Sequence, residues 1–364
     1  HSWINKADKA SDKGGLIGIF FMALVLALVS FSCTGPIVGT LLVEAASGGN
    51  YMGPIIGMLG FSLAIALPFA LFAAFPGWLN SLPQSGGWLN SVKVVLGFLE
   101  LALAFKFLSN ADLVKHWGLL KIEVFLGIWI VIFAGLAIYI FGKLKFPHDS
   151  PIKKLSFFRI SSGVLVFAFV IYLFSGFRVN KDSQTFTSLT LLSGLAPPVG
   201  YSFIYPNDCP NNFECFKDFK AGVAYAQKVN KPILIDFTGY ACVNCRKMEE
   251  HVWPKPSIKA FFENDYVLIS LYVDDKKELP DNQKLTVKRL GGGARVLENY
   301  GNKWAHFQTQ FFQSNSQPYY ALLSPDGKTV LNPPVGYTPN EENYKIFLDC
   351  GLEAFSNLNL SEPK

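Results

Sequence analysis

Apolar and polar positions divide this chain into two regimes. Up to about residue 177 the apolar residues run in long blocks, approximately Leu16 to Ala46, Met52 to Phe75, Val92 to Leu108, Leu119 to Phe141 and Phe158 to Phe177. A bilayer crossing takes roughly 20 helical residues, so these blocks predict five membrane spans. The first is too long for one straight span, because about 30 residues at 1.5 Å each reach ~45 Å against a hydrocarbon core of ~30 Å. Its expected break is Phe31-Ser32-Cys33-Thr34-Gly35-Pro36, where Pro36 removes a helix N–H and Gly35 weakens the helix. Broken helices at membrane depth are tolerated where they line a protein or water-filled interior, and Cys33 is expected to face one. The plainer alternative is a buried free cysteine beside an ordinary kink.

Beyond Phe177 the pattern changes. Arg178 to Tyr205 is rich in Ser, Thr, Asn, Gly and Pro and reads as a linker. After it come segments of the length of globular elements: an amphipathic helix over Glu214 to Val229, a strand over Ile233 to Phe237, and a helix from Cys242 onward. Tyr266 to Tyr272 reads as a second strand. Lys276 to Gln313 is a polar insertion with a helix around Trp304 to Phe312. Strands at Tyr319 to Leu323 and around Thr329 to Leu331 and a helix over Asn340 to Phe355 complete the pattern. The expected architecture is a membrane all-α bundle of about five transmembrane helices, the first interrupted, followed by an α/β domain. The expected boundaries are 1–178, a linker over 179–206, and 207–364.

Composition agrees with this division. Of 364 residues 50% are hydrophobic and 16% charged, against roughly 25% charged in soluble domains, and the deficit lies in the first half. The net charge of +5 comes mostly from scattered lysines that form no dense basic stripe, which argues against a nucleic-acid partner. Lys6, Lys9 and Lys13 precede the first span, and Lys143, Lys145, Lys153 and Lys154 lie between the fourth and fifth, so five spans put all of them on one side. By the positive-inside rule that side is cytoplasmic, and the C-terminal domain lies on the outer side, where disulfides persist. Within the third span, Lys106 is expected to reach toward the interface, and Glu100 to serve either proton handling or a structural hydrogen bond. The chain begins at His1 without a Met, which reads as an N-terminally incomplete or processed chain.

The candidate chemistry lies in Ile233 to Met248, ILIDFTGYACVNCRKM. A β-branched run breaks at Thr238-Gly239, and Cys242-Val243-Asn244-Cys245 opens a helix. The free N–H groups and positive dipole end of a helix start stabilise a thiolate, which makes Cys242 the expected nucleophile. Cys245, one turn deeper, can resolve a mixed disulfide by closing the bond to Cys242. The segment resembles the thioredoxin superfamily. That resemblance implies a buried acid at Asp236, six residues before Cys242, and a cis-proline loop at Gln317-Pro318. A buried Asp236 could exchange a proton with Cys245, whereas an acid at an exposed strand end could not. Glu249, two turns after Cys242, could tune the pair or be a solvated helix residue. A cis Pro318 would leave neighbouring backbone free to pair with an incoming strand, and an ordinary trans turn is the alternative.

Cys209 and Cys215 could form a small disulfide or join Cys242 and Cys245 around zinc, and Cys350 reads as a buried core residue. The histidines show no metal-ligand spacing and no glycine loop has a phosphate-binding context, so redox-active cysteines rather than a cofactor or metal are expected to carry the chemistry.

Taken whole, FSCTGPIVG in a membrane span followed by ACVNC in an outer thioredoxin-like domain resembles the DsbD-type thiol:disulfide interchange proteins, with a cytochrome c biogenesis transmembrane region. The resemblance implies a protein-disulfide reductase of the bacterial inner membrane. It further implies electrons passing from cytoplasmic thioredoxin through membrane cysteines, including Cys33, to the periplasmic CxxC domain and on to periplasmic disulfides or cytochrome c maturation factors. The chain departs from that pattern in offering a single membrane cysteine, Cys33. One alternative is a membrane-anchored thioredoxin-fold protein that binds clients without transmembrane electron transfer, for which Cys33 would be unnecessary. Another is a quinone-coupled oxidase, which would want cysteine pairs in outer loops before Arg178, where there are none.

Overall fold

The computed structural model describes residues 52–74, 86–146, 155–180, 184–288 and 293–361. Cys33, the interrupted first block and Lys153 and Lys154 lie outside the described residues. The chain forms two compact units, His1–Ser85 and Gly86–Lys364. In the first, helix α1 (Met52–Ala74) coincides with the second expected span.

The second unit begins with α2 (Gly86–Lys115), α3 (Ile122–Ile140) and α4 (Phe157–Ser175). Among the described residues α3 and α4 are long and apolar enough to cross a membrane, so the expected count of about five is not reached there. Phe125, Trp129 and Ile132 of α3 pack with Ala102 of α2 and with Val170 and Leu173 of α4, whereas Leu165, Phe167, Ile171 and Phe174 of α4 point outward. An outward apolar face suits lipid. Lys106 does not extend to an interface: it is 8% exposed and its Nζ donates to Asn110 Oδ1 at 2.8 Å. Glu100 lies on the exposed side of α2.

The turn from α2 to α3 is built on one carboxylate. Asp112 is fully buried and accepts from the N–H groups of Leu119 and Leu120, at 2.9 and 3.1 Å, and from the Tyr201 hydroxyl at 2.6 Å. Tyr201 lies in the stretch read above as a linker, which in the structure is a packed strap. After α4, β1 (Val179–Asn180) and β2 (Thr185–Phe186) pair antiparallel. Phe186, Leu189 and Leu192 then bury against α3 and α4. Glu123, in the first turn of α3, accepts from the N–H groups of Phe203 and Ile204 and from the Ser202 hydroxyl. Part of the strap's apolar residues are buried in this way while Leu191, Phe203 and Ile204 stay exposed, and composition alone does not reveal which.

The rest of the unit is a five-stranded sheet of order β3-β5-β4-β8-β9. Its strands are β3 (Cys215–Phe216), β4 (Ile233–Thr238), β5 (Val267–Tyr272), β8 (Tyr319–Leu323) and β9 (Val330–Val335). The β4 strand runs parallel to β5 and antiparallel to β8, and a separate hairpin of β6 (Thr286–Lys288) and β7 (Ala294–Val296) occupies the insertion. The helices are α5 (Phe219–Val229), α6 (Val243–His251), α7 (Pro256–Ala260), α8 (Tyr300–Phe312) and α9 (Glu341–Ser361). The first of these starts later than its expected Glu214, because Cys215–Phe216 pairs with β5 and Asp218 caps the helix by accepting from Ala221 N–H.

Strand periodicity sorts β4 between two cores. Ile233, Ile235 and Phe237 point with Ala226 of α5 and Trp304 of α8 into one layer. Leu234 points the other way, with Met248 of α6 and Tyr344 and Phe347 of α9. A strand buried on both faces explains the unbroken apolar run. The result is a thioredoxin-like fold, with Asp236 on the α6 face of its central strand.

Candidate active site

The turn from β4 into α6 is held by Asp274, which follows β5. Its carboxylate accepts from the N–H groups of Tyr240 and Ala241 at 2.8 and 2.9 Å. The chain passes so close that a β-carbon on Gly239 would stand 2.9 Å from Asp274 Oδ2, which accounts for glycine there. Tyr240 stacks on Tyr272 with ring centroids 4.0 Å apart.

Cys242 is the N-cap of α6, its Sγ accepting from Cys245 N–H at 3.1 Å. It is bonded to Cys245 as a disulfide with Cα atoms 5.3 Å apart. Cys242 is half-buried and Cys245 is 1% exposed, so the sulfur at the helix start is the one that a partner can reach. Cys209 and Cys215 form a second disulfide, not part of a zinc site. Cys350 is exposed rather than in the core, because α9 turns Tyr344, Phe347 and Leu348 inward. Among the described residues no group of three or more His, Cys, Asp or Glu is arranged to hold a metal.

Asp236 is 1% exposed, with neither oxygen in a hydrogen bond of ordinary geometry. Burial pushes its carboxyl well above the usual range; the charge of Glu249 adds to this and Arg246 opposes it. Glu249 is not the solvated residue that sequence allowed. It is 5% exposed and held by Arg246 in a two-pronged ion pair, Nη1 to Oε2 at 2.6 Å and Nη2 to Oε1 at 2.7 Å. Burial raises Glu249 to about 7 despite the guanidinium. Pro318 follows a cis peptide bond. Because Phe237 is in register with Tyr319 on the antiparallel β8, Pro318 lies at the end of β4 that leads into the cysteine turn.

Sequence reasoning missed Arg246, Asp274 and the strap. Arg246 reads as an ordinary helix former, and only its spacing of three from Glu249 hinted at a pair. In the structure the strap reaches the motif: Gly194, at φ +72°, lies so close that its β-carbon would stand 2.5 Å from Val243 Cγ1. A cleft of about 1620 Å³ is lined by Tyr201, Cys209, Tyr240, Arg246, Glu249 and Asp275, among others.

Two family models match, one in each part of the chain. Residues 1–111 match the cytochrome C biogenesis protein transmembrane domain and residues 219–350 a thioredoxin-like domain. A thiol:disulfide interchange protein DsbD of Vibrio vulnificus is 26% identical over 71% of this chain and 39% of its own length. One from Campylobacter jejuni is 28% identical over 73% of this chain and 42% of its own length. The chain matches DsbD-type proteins in both of its parts. It spans about two fifths of the length of these DsbD relatives. A solved structure described as "DsbH Oxidoreductase" is 17% identical with a TM-score of 0.30, covering 39% of this chain and 85% of that one. The transmembrane-domain match covers the stretch that holds the first apolar blocks.

Proposed function

We propose that this chain is a thiol:disulfide oxidoreductase of the bacterial inner membrane that passes reducing equivalents to disulfides outside the cytoplasm through Cys242 and Cys245. The observation that carries the reading is the half-buried Cys242 at the start of α6, bonded to the buried Cys245, with Asp236 buried on the strand that leads into them. In the reduced pair, the Cys242 thiolate attacks a client disulfide. A mixed disulfide forms and one client thiolate leaves. Asp236 takes the proton from Cys245, whose thiolate attacks Cys242 Sγ and releases the second client thiolate. The client gains two electrons and the Cys242–Cys245 disulfide is restored. Pro318, at the same end of β4, leaves backbone available to align the client strand. Glu249 tunes the pair by its charge.

We read the electrons as coming from cytoplasmic thioredoxin by way of membrane cysteines, of which this chain holds Cys33. We read the five expected spans, with the loop lysines inside, as leaving the thioredoxin-like domain on the periplasmic side. Its clients there are disulfide-containing proteins, cytochrome c maturation factors among them.

Trapping tests the reading. A Cys245→Ser chain, reduced and offered a disulfide-bonded client, is expected to accumulate a mixed disulfide at Cys242, and Cys242→Ser none. Equal trapping by both variants would reverse the roles of the two cysteines. No client reduction by the wild type would favour a client-binding protein instead.

A further inference from the structure

We propose that Arg246, the residue next to Cys245, is a positioning residue that keeps the buried Glu249 carboxyl able to gain and lose a proton beneath the disulfide. The inference rests on the exchange reading above. Arg246 and Glu249 stand three apart on α6, both 5% exposed, and meet through both guanidinium nitrogens and both carboxylate oxygens. Such a fork fixes the carboxylate's plane as well as its charge.

The surroundings explain why the fork is needed. Glu250 on α6, Asp236 on β4, Tyr272 on β5, Asp274 after it, Tyr320 on β8 and Tyr344 on α9 surround the two carboxyls or the guanidinium with groups that are anionic or can become so. Lys106 approaches from α2 and bonds Asn110. Arg246 is the cation in contact with Glu249. A carboxyl removed from water and left without a cation is driven neutral and stays so. With the fork in place Glu249 is raised only to about 7, within reach of physiological pH. Its charge in turn acts on Asp236. A proton taken up at Glu249 therefore eases the loss of one from Asp236, which leaves Asp236 ready to take the proton of Cys245.

The test uses the full chain in detergent, reduced, with Cys242 alkylation rates followed from pH 5 to 10 and adducts mapped by mass spectrometry. The wild-type profile is expected to carry a second step near pH 7 in addition to the thiol's own. In R246M that step moves up by about one pH unit or more. In E249Q and in R246M/E249Q it is absent. R246Q, whose amide still hydrogen-bonds the carboxyl, repeats the shift should R246M not fold. A step that stays in place in the folded Arg246 variants, or persists in E249Q, overturns the proposal. A wild-type Cys242 no more reactive than the exposed Cys350 would instead count against the exchange reading, and this inference with it.

Discussion

His116 Nε2 lies 2.7 Å from Asp275 Oδ1, joining the C-terminal end of α2 to the loop after β5. The same imidazole packs edge-on against Tyr240, and Lys276 N–H donates to Val114 C=O alongside. The membrane helices and the cysteine turn thus touch through a small polar contact. Partly exposed pairs of this kind contribute about 0–1 kcal/mol. His116→Ala is therefore expected to leave the fold intact while loosening this seat, raising protease cleavage after Tyr205 by a fewfold. Unchanged cleavage would mean that the backbone bond at Lys276 suffices.

Asp236→Asn is expected to slow disulfide exchange at neutral pH by about tenfold or more, since it removes the buried proton carrier and little volume. It should also stabilise the domain at pH 7. Asp236 keeps its proton in the fold at a pH where the unfolded chain has released it, so the folded state binds more protons. The wild type is then fully stable only below the ordinary carboxyl value of about 4 and loses stability as pH rises toward the raised folded value. A higher Tm for the variant at pH 7, vanishing near pH 4, is the expected result. Identical Tm curves would show that the carboxyl does not feel its burial.

Gly239→Ala brings a methyl group within 2.9–3.3 Å of the Asp274 carboxylate that holds Tyr240 and Ala241. The expected cost is about 1–3 kcal/mol, with slower exchange because the start of α6 shifts. Thermal unfolding together with Cys242 alkylation checks both effects. A normal Tm and a normal rate would mean that the carboxylate gives way freely.

Cys33→Ser, in cells, should leave Cys242 and Cys245 oxidised, because electrons would no longer arrive through the membrane part. Thiol trapping of the pair is the measurement. A pair still fully reduced would make the membrane part an anchor.

Much of this architecture is legible in the sequence, for reasons that differ by element. The β4 run is apolar on both faces because both faces are covered, and Cys242 follows a turn whose glycine has no room for a β-carbon. What sequence does not carry is partnership across distance. Arg246 and Glu249 are charged residues on a helix, and only folding shows that both point inward. The 179–206 stretch reads as a linker, yet Phe186, Leu189 and Leu192 bury against α3 and α4. The interrupted span with Cys33 is outside the described residues, so that part of the reading still rests on its proline and glycine.

The strap limits how far the thioredoxin-like domain can travel. Tyr201 is tied to Asp112, Ser202 to Glu123 and Asn207 N–H to Gly200 C=O, so the free leash starts near Asn207 rather than at the end of α4. The Cys209–Cys215 disulfide then short-circuits the next loop with a Cα separation of 5.9 Å. From Asn207 to Cys209, two steps at about 3.5 Å, plus that bridge, gives roughly 13 Å of slack. A free chain from residue 179 to Cys215 would allow more than about 100 Å. On so short a leash the thioredoxin-like domain can pivot close to α2 and α3 but not range away from them.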